Sequence, residues 1–317
     1  MIARACSHEN RKKNGKSANG QQRYKCKDCG ARFTDNTLIL NGMRVDPYRC
    51  EMIIKCLCEG MSIRATSRLT DTDPHTVIDL LVMIGERCKR FLEQEIREIH
   101  VDDIQVDEVW QFVFCKDKTR KKKGYGEDTG DSWCFTAVER NTKLVVAWHF
   151  GKRSQANADL FCERLRDATT GHYQISTDGY APYRTAVPVL LGGRVGFGML
   201  IKIFGEAPKD EQRKYSLAKI KAIRKEKISG NPDMGRICTS HTERANGTMR
   251  TFIKRMGRLT YCFSKLWDNH EAMLGLYFAH YNFCRVHGTL KTTLAVATGL
   301  ASRPWTVREL IEQTSTF

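Results

Sequence analysis

Three carboxylates stand out for what they could do together: Asp107, Asp178 and Glu243. Like charges gathered in one cleft repel, so such a grouping is hard to justify structurally unless cations bind there. The third lies in "SHTERANGTMRTFIKRM", residues 240–256. At about 100° per residue, Glu243, Gly247, Arg250 and Lys254 fall in one helical stripe, while Ala245, Met249, Phe252, Ile253 and Met256 fall on the other side. The apolar side belongs to a core, which leaves a carboxylate beside cations on the polar side. A plainer account also fits. Ser240-x-x-Glu243 is a capping box, which satisfies helix-terminal N–H groups without any chemistry.

The elements that must position these residues can be read from the pattern. From about Asp102, "DIQVDEVWQFVFC" alternates, and "WCFTAVE" and "LVVAWHF" follow as two more strand-like runs, which predicts an antiparallel meander. A helix over Gln155 to Arg166 comes next, then a short strand, "YQIST", ending in Asp178-Gly179, where α/β sheets place ligands. The order β-β-β-α-β-α, with an Asp in the first strand, an Asp ending the fourth and a Glu on a later helix, is that of a ribonuclease-H-like fold.

Two smaller units precede it. Cys26-x-x-Cys29-Gly30 followed by Phe33 is half of a zinc knuckle, since two thiolates on a tight turn can chelate a tetrahedral ion. Upstream, Cys6-x-His8 stands in for the other pair, so Cys6, His8, Cys26 and Cys29 are the proposed ligands of one structural zinc. A segment this short and polar needs metal to fold, or is a disordered basic arm. Residues 47–90 then read as three helices: one from Tyr48 to Cys58, a short one from Ser62 to about Leu69, and a third opening near Pro74. That pattern fits a helix-turn-helix with His75, Thr76 and Asp79 on the exposed first turns of the last helix, or else a plain three-helix packing unit.

Charge sets the partner class. Lys+Arg 52 against Asp+Glu 36 gives a net charge of +16, and with no long apolar segment nucleic acid is favoured over a membrane. The excess concentrates in Arg4–Arg32 and Lys202–Lys227. Thirteen scattered cysteines without a secretory leader suggest a reducing cytosol and mostly free thiols. Trp110, Trp133, Trp148 and Trp267 read as core residues.

"NGKSANGQQRYKCKDCG", "VDEVW", "STDG", "HTERANGTMR", "LTYCFSK" and "HYNFCRVHGTL" together resemble bacterial insertion-sequence transposases of the DDE class, closest to the insertion-sequence-one family. The resemblance implies a magnesium- or manganese-dependent enzyme that binds the terminal inverted repeats of its element, cuts DNA and joins it to target DNA. By position it makes Asp107, Asp178 and Glu243 the catalytic ligands of two divalent ions, with Asp107 bridging them. Asp103 and Glu108 compete for the first place; alternation puts Asp103 on the face of Asp107 and Glu108 opposite. Arg250 matches the basic residue on the Glu face, and Lys254, Arg244, Arg285 and His287 join it as DNA contacts. Arg285 and His287, at the end of the helix "LWDNHEAMLGLYFAHYNF", have a second reading in which they tie that helix to neighbouring carbonyls.

The organisation expected is therefore α/β: a zinc-ribbon-like segment at 1–40, an all-α helix-turn-helix domain at 41–100, a ribonuclease-H-like catalytic core at 101–290 with a basic insertion at about 190–238, and a packing helix opening at Pro304 within 291–317. Double-stranded DNA, both element ends and target, would be the partner of an oligomer, at least a dimer, in the bacterial cytoplasm, associated with the nucleoid. The alternative is a zinc and helix-turn-helix DNA-binding regulator with a catalytically inactive ribonuclease-H-like domain. A nuclease of the same fold leaves the N-terminal DNA-reading units without a purpose.

Overall fold

Strand β5 (Asp103–Val113) is the axis of the molecule. In the computed structural model, which describes residues 8–16, 22–34, 45–205, 220–257 and 260–317, it pairs antiparallel with β6 (Gly130–Glu139), and β6 pairs antiparallel with β7 (Val145–Gly151). On its other side β5 pairs parallel with β9 (Tyr173–Thr177), β9 parallel with β10 (Val195–Phe204), and β10 antiparallel with the edge strand β11 (Ile220–Ser229). The mixed sheet thus runs β11-β10-β9-β5-β6-β7. The expected meander is present, but its first link carries a short basic helix, α4 (Asp117–Lys123), instead of a tight turn.

Residues 190–238, expected as an insertion, supply the two outer strands of this sheet. The alternation in "VGFGMLIKIF" is enough to make a strand, and its first six residues are buried. A two-rung pair, β4 (Ile99–His100) with β8 (Thr169–Thr170), lies apart from the main sheet.

Helices cover both faces. On one, α5 (Gln155–Ala168) and α6 (Tyr183–Leu191) pack through Phe161 and Tyr183 against Phe135 of β6. On the other lie α7 (Ser240–Phe252) and α8 (Trp267–Phe283). Before the sheet come α1 (Pro47–Cys58), α2 (Ile63–Thr70) and α3 (Pro74–Glu95), and each start is written in the sequence: the Asp46, Ser62 and Asp73 side chains accept from the N–H of Arg49, Ala65 and His75. One continuous core joins these helices to the sheet. Glycine makes the closest junction possible: a Cβ on Gly85 of α3 would lie 2.1 Å from Ala272 O, and one on Gly275 of α8 would lie 2.5 Å from Gly85 O.

The C-terminal segment closes the core with α9 (Leu294–Ala297) and α10 (Val307–Gln313). Its start departs from the expectation at Pro304, because the Thr306 and Glu309 side chains form the capping box one turn later. Trp305 packs 4.6 Å from Phe283 and 5.6 Å from Phe91. Of the four tryptophans expected in the core, Trp148 is buried and the other three are half-buried. A separate three-stranded sheet, β1 (Arg11–Lys16), β2 (Gln22–Cys26) and β3 (Arg32–Thr34), forms the N-terminal unit.

Gly85→Ala should therefore destabilise the chain by about 3 kcal/mol through overpacking. Gly247→Ala, where an added Cβ meets nothing within 4 Å, should raise stability by about 1 kcal/mol through helix propensity. Urea unfolding of both variants checks this; equal midpoints would refute the α3–α8 contact.

Candidate active site

The site forms where α7 lies along β5, held by three hydrogen bonds spread over the length of the helix. The His241 N–H donates to Gln105 Oε1 at 2.8 Å, Asn246 Nδ2 to Asp107 Oδ2 at 2.8 Å, and Arg250 Nη2 to Trp110 O at 3.1 Å. Helix and strand therefore run in the same direction, and Glu243 emerges between the first two contacts. Thr136, opposite Asp107 on β6, donates to the Asp107 carbonyl at 3.2 Å.

Asp178 arrives from the next strand. β5 and β9 are in register through Gln105 and Ser176, so two residues further along both strands Asp107 and Asp178 emerge side by side. The Asp178 side chain accepts from the Tyr180 N–H at 2.9 Å, which fixes it at the strand end. The electrostatics show the convergence: burial first, then the Asp178 charge and more weakly the Glu243 charge, push the Asp107 carboxyl up to about 6 against the N–H of Glu108 and the Asn246 amide. Glu243 is exposed; it accepts from Thr239 Oγ1 at 2.8 Å and pairs with Lys202 of β10.

The capping-box reading of Ser240 and Glu243 gives way here. Thr239 is the cap residue and Ser240 the first helical residue, so Glu243 turns to Thr239 and Lys202 instead. The helix also stops short of Met256: Ile253 is extended and fully buried, and Lys254–Met256 form a separate 3-10 turn. Lys254 is exposed but leaves the stripe of Glu243 and Arg250.

The rivals of Asp107 have other partners. Asp103 is fully buried between Arg140 and Arg236, each 3.1 Å away. Glu108 points to the opposite face, 3.1 Å from Arg153, whose guanidinium lies 4.2 Å over the Tyr180 ring. Burial and the Asp178 charge push Glu108 up to about 8.

The other cations fall in two clefts. Arg244, Arg285 and His287 line a cleft of about 550 Å³ on the far side of α7, with Lys143, His241 and Tyr281. Arg285 lies 3.6 Å over the Phe252 ring, and the Arg285 and His287 N–H groups donate to His280 O at 2.9 Å and Thr292 O at 2.8 Å; the tie from the helix to the sheet is left to another side chain. Asn282 takes that task, exchanging bonds of 3.2 and 3.0 Å with the Val145 backbone. His75 is exposed and Thr76 half-buried on the first turn of α3, and His75 shares a second cleft with Lys254.

In the N-terminal unit His8, Cys26 and Cys29 bring their ligand atoms within 4.8 Å of one another, with His8 Nδ1 3.3 Å from Cys29 Sγ. Gly30 takes φ +75°, which lets the Cys-x-x-Cys turn close. The Cys29 N–H first, then His8, draw the Cys26 thiol down to about 6, so it is ready to bind metal as a thiolate. Cys6, the fourth ligand expected, lies outside the described residues.

Residues 221–284, from β11 through α7 and α8, match the family described as IS1 transposase. The chain is also 25% identical over 179 residues to the insertion element iso-IS1n protein InsB of Shigella dysenteriae, covering 56% of this chain and 95% of that protein. Both likenesses support a transposase. Among transposases the chain is like those of IS1 insertion elements, the resemblance its motifs carry. Among the described residues no helix is long and apolar enough to cross a membrane.

Sequence reasoning missed Asn246, Thr136 and Lys202. Asn246, one turn after Glu243 on the same helix, was open to notice; Lys202 and Thr136 come from other strands and carry no local signal.

Asp107 and Glu108 hold their protons to higher pH folded than unfolded, so the stability they contribute is complete below about pH 4 and is lost as pH rises through about 6 and about 8. In magnesium-free buffer buried histidines such as His270 and His280, held down to about 3 and about 4, add stability as pH rises to about 6.5, so the carboxyl contribution is read as a difference: Glu108→Gln should gain on wild type across the upper half of the range, from about pH 6 to 8. Urea unfolding across pH reads it; no gain there would contradict the burial of Glu108.

Proposed function

We propose that the chain is a DNA transposase that binds the terminal inverted repeats of its element, hydrolyses a phosphodiester there and transfers the freed strand to target DNA. The observation that carries this reading is the placement of Asp107, Asp178 and Glu243 around β5, where burial first, and then the Asp178 and Glu243 charges, raise the Asp107 carboxyl. The sheet order supports a ribonuclease-H-like core: an antiparallel meander, then strands parallel to its first member.

Three carboxylates with hard oxygen donors fit magnesium or manganese. Two such ions would activate the attacking oxygen and stabilise the leaving one. The chain's own residues prepare for this. Asn246 and the Glu108 N–H hold the two Asp107 oxygens, and the Asp178 carboxylate is aimed by the Tyr180 N–H. Lys202 supplies the charge that Glu243 needs when no cation is present. Arg250, at the far end of the same helix, would hold a phosphate beside the bond to be cut, a task suited to its planar fork.

His75 and Thr76 at the start of α3 would read the repeat as part of a helix-turn-helix, while Lys254, Arg244, Arg285 and His287 would meet the backbone. His8, Cys26 and Cys29 would hold one zinc, with Cys6 as the fourth ligand. The working form would be at least a dimer on paired ends, in the cytoplasm and associated with the nucleoid. A regulator without catalysis is the weaker reading, because it leaves the mutual repulsion of the carboxylates unexplained.

With labelled repeat DNA and Mg²⁺, wild type should join strands, while Asp178→Ala should bind the DNA equally well and lose about a thousandfold or more of the joining rate. If wild type binds the repeats and never cuts, the regulator reading replaces this one. Metal analysis should find one zinc per chain, lost in Cys26→Ser; a zinc-free, folded wild type would remove the zinc assignment.

A further inference from the structure

Between the first turns of α2 and α3 and the chain that follows α7 lies a cleft of about 730 Å³ that takes in His75 and Lys254 and extends well beyond them. Arg64, His75, Lys254 and Lys265 line it with Tyr261 and Phe263, and among the described residues no carboxylate does. Tyr261 is 97% exposed, and Lys265 Nζ sits 3.8 Å over the Phe263 ring. Cations without counter-charges, interleaved with open aromatic faces, suit a nucleic acid: the cations meet phosphates and the rings meet sugars or bases.

The cleft is rigidly tied to the carboxylates. Gly60, in the turn between α1 and α2 with φ +78°, presses on the end of α7, where a Cβ would lie 2.8 Å from Thr251 O. The Gly85–Gly275 contact fixes α3 on α8 in the same way. From Glu243 to Phe252 the helix climbs about 14 Å at 1.5 Å per residue. That equals about four base-pair steps of duplex at 3.4 Å each.

Resting on the transposase reading, we infer that this cleft seats the duplex between the sequence read by α3 and the bond cut at the carboxylates, so that one protomer reads and cuts the same DNA end. The fixed spacing is the reason. A protomer that handed its end to a partner would leave its own basic cleft and its own carboxylates, a few base pairs apart along α7, serving different duplexes.

Two measurements test this. The Arg64→Ala/Lys265→Ala protein, checked for an unchanged melting temperature, should bind a repeat duplex about tenfold more weakly, and its slope of log affinity against log salt should fall by about two. Unchanged affinity and slope would overturn the seat. Hetero-oligomers of that double variant with Asp178→Ala, purified through two different tags, should cut no more than the double variant alone. Cleavage near half the wild-type level would show reading and cutting in trans and overturn the inference. Wild type that never cuts counts against the transposase reading instead, and the binding measurement then decides the seat alone.

Discussion

The amide of Asn246 on the Asp107 carboxylate is the contact on which the site depends. Without it, a helix bearing Glu243 has every electrostatic reason to move away from a strand bearing Asp107 beside Asp178. Hydrogen bonds to charged groups contribute about 1.5–3 kcal/mol, enough to offset repulsion among partly solvated carboxylates. The outer bonds, from His241 to Gln105 and from Arg250 to Trp110, then prevent the helix from sliding or swivelling about that point. Lys202 completes the balance from β10, on the far side of β9 from β5. The site is therefore assembled from three strands and a helix whose members are far apart in sequence, and it stays charged because each charge is answered locally.

The same economy of contact ties the three N-terminal helices to the elements around the sheet. Helices that meet through glycine approach until backbone touches backbone, as α3 and α8 do at Gly85 and Gly275. Such a junction tolerates neither an added methyl nor a change of crossing angle. Around it, Phe91, Phe283 and Trp305 fill the space with rings, and the C-terminal segment covers them. The three N-terminal helices consequently share one hydrophobic core with the sheet, although their sequence pattern reads as a unit that could stand alone.

How much of this was legible follows from which interactions are local. Helix starts at Asp46, Ser62 and Asp73 were readable because capping involves residues two or three apart. The meander, the strand ending at Asp178 and the Cys-x-x-Cys turn at Gly30 are local patterns too. The end of α7 was not legible: periodicity carried the helix on to Met256, whereas burial of Ile253 pulls the backbone out of helix after Phe252. The strands β10 and β11 hid in a basic stretch because their charges lie on the exposed outer part of the sheet. Lys202 and Thr136 owe their place entirely to tertiary contacts. The three carboxylates were legible from their places in the strand and helix order, and the resemblance matched them to catalytic positions.

Among the described residues β11 closes the sheet on one side with its outer backbone edge unpaired, and its exposed Ile220 and Ile223 would make a template for another strand. Lys221, Arg224, Lys225 and Lys227 are spread along the same strand. A second copy approaching edge to edge brings this mostly basic run, four cations against the single Glu226, up to its own like, which opposes strand addition and the fibrous stacking that follows from it. The density of basic residues on this edge thus acts as a safeguard of solubility for a chain that carries an open sheet, whatever polyanion those residues also meet.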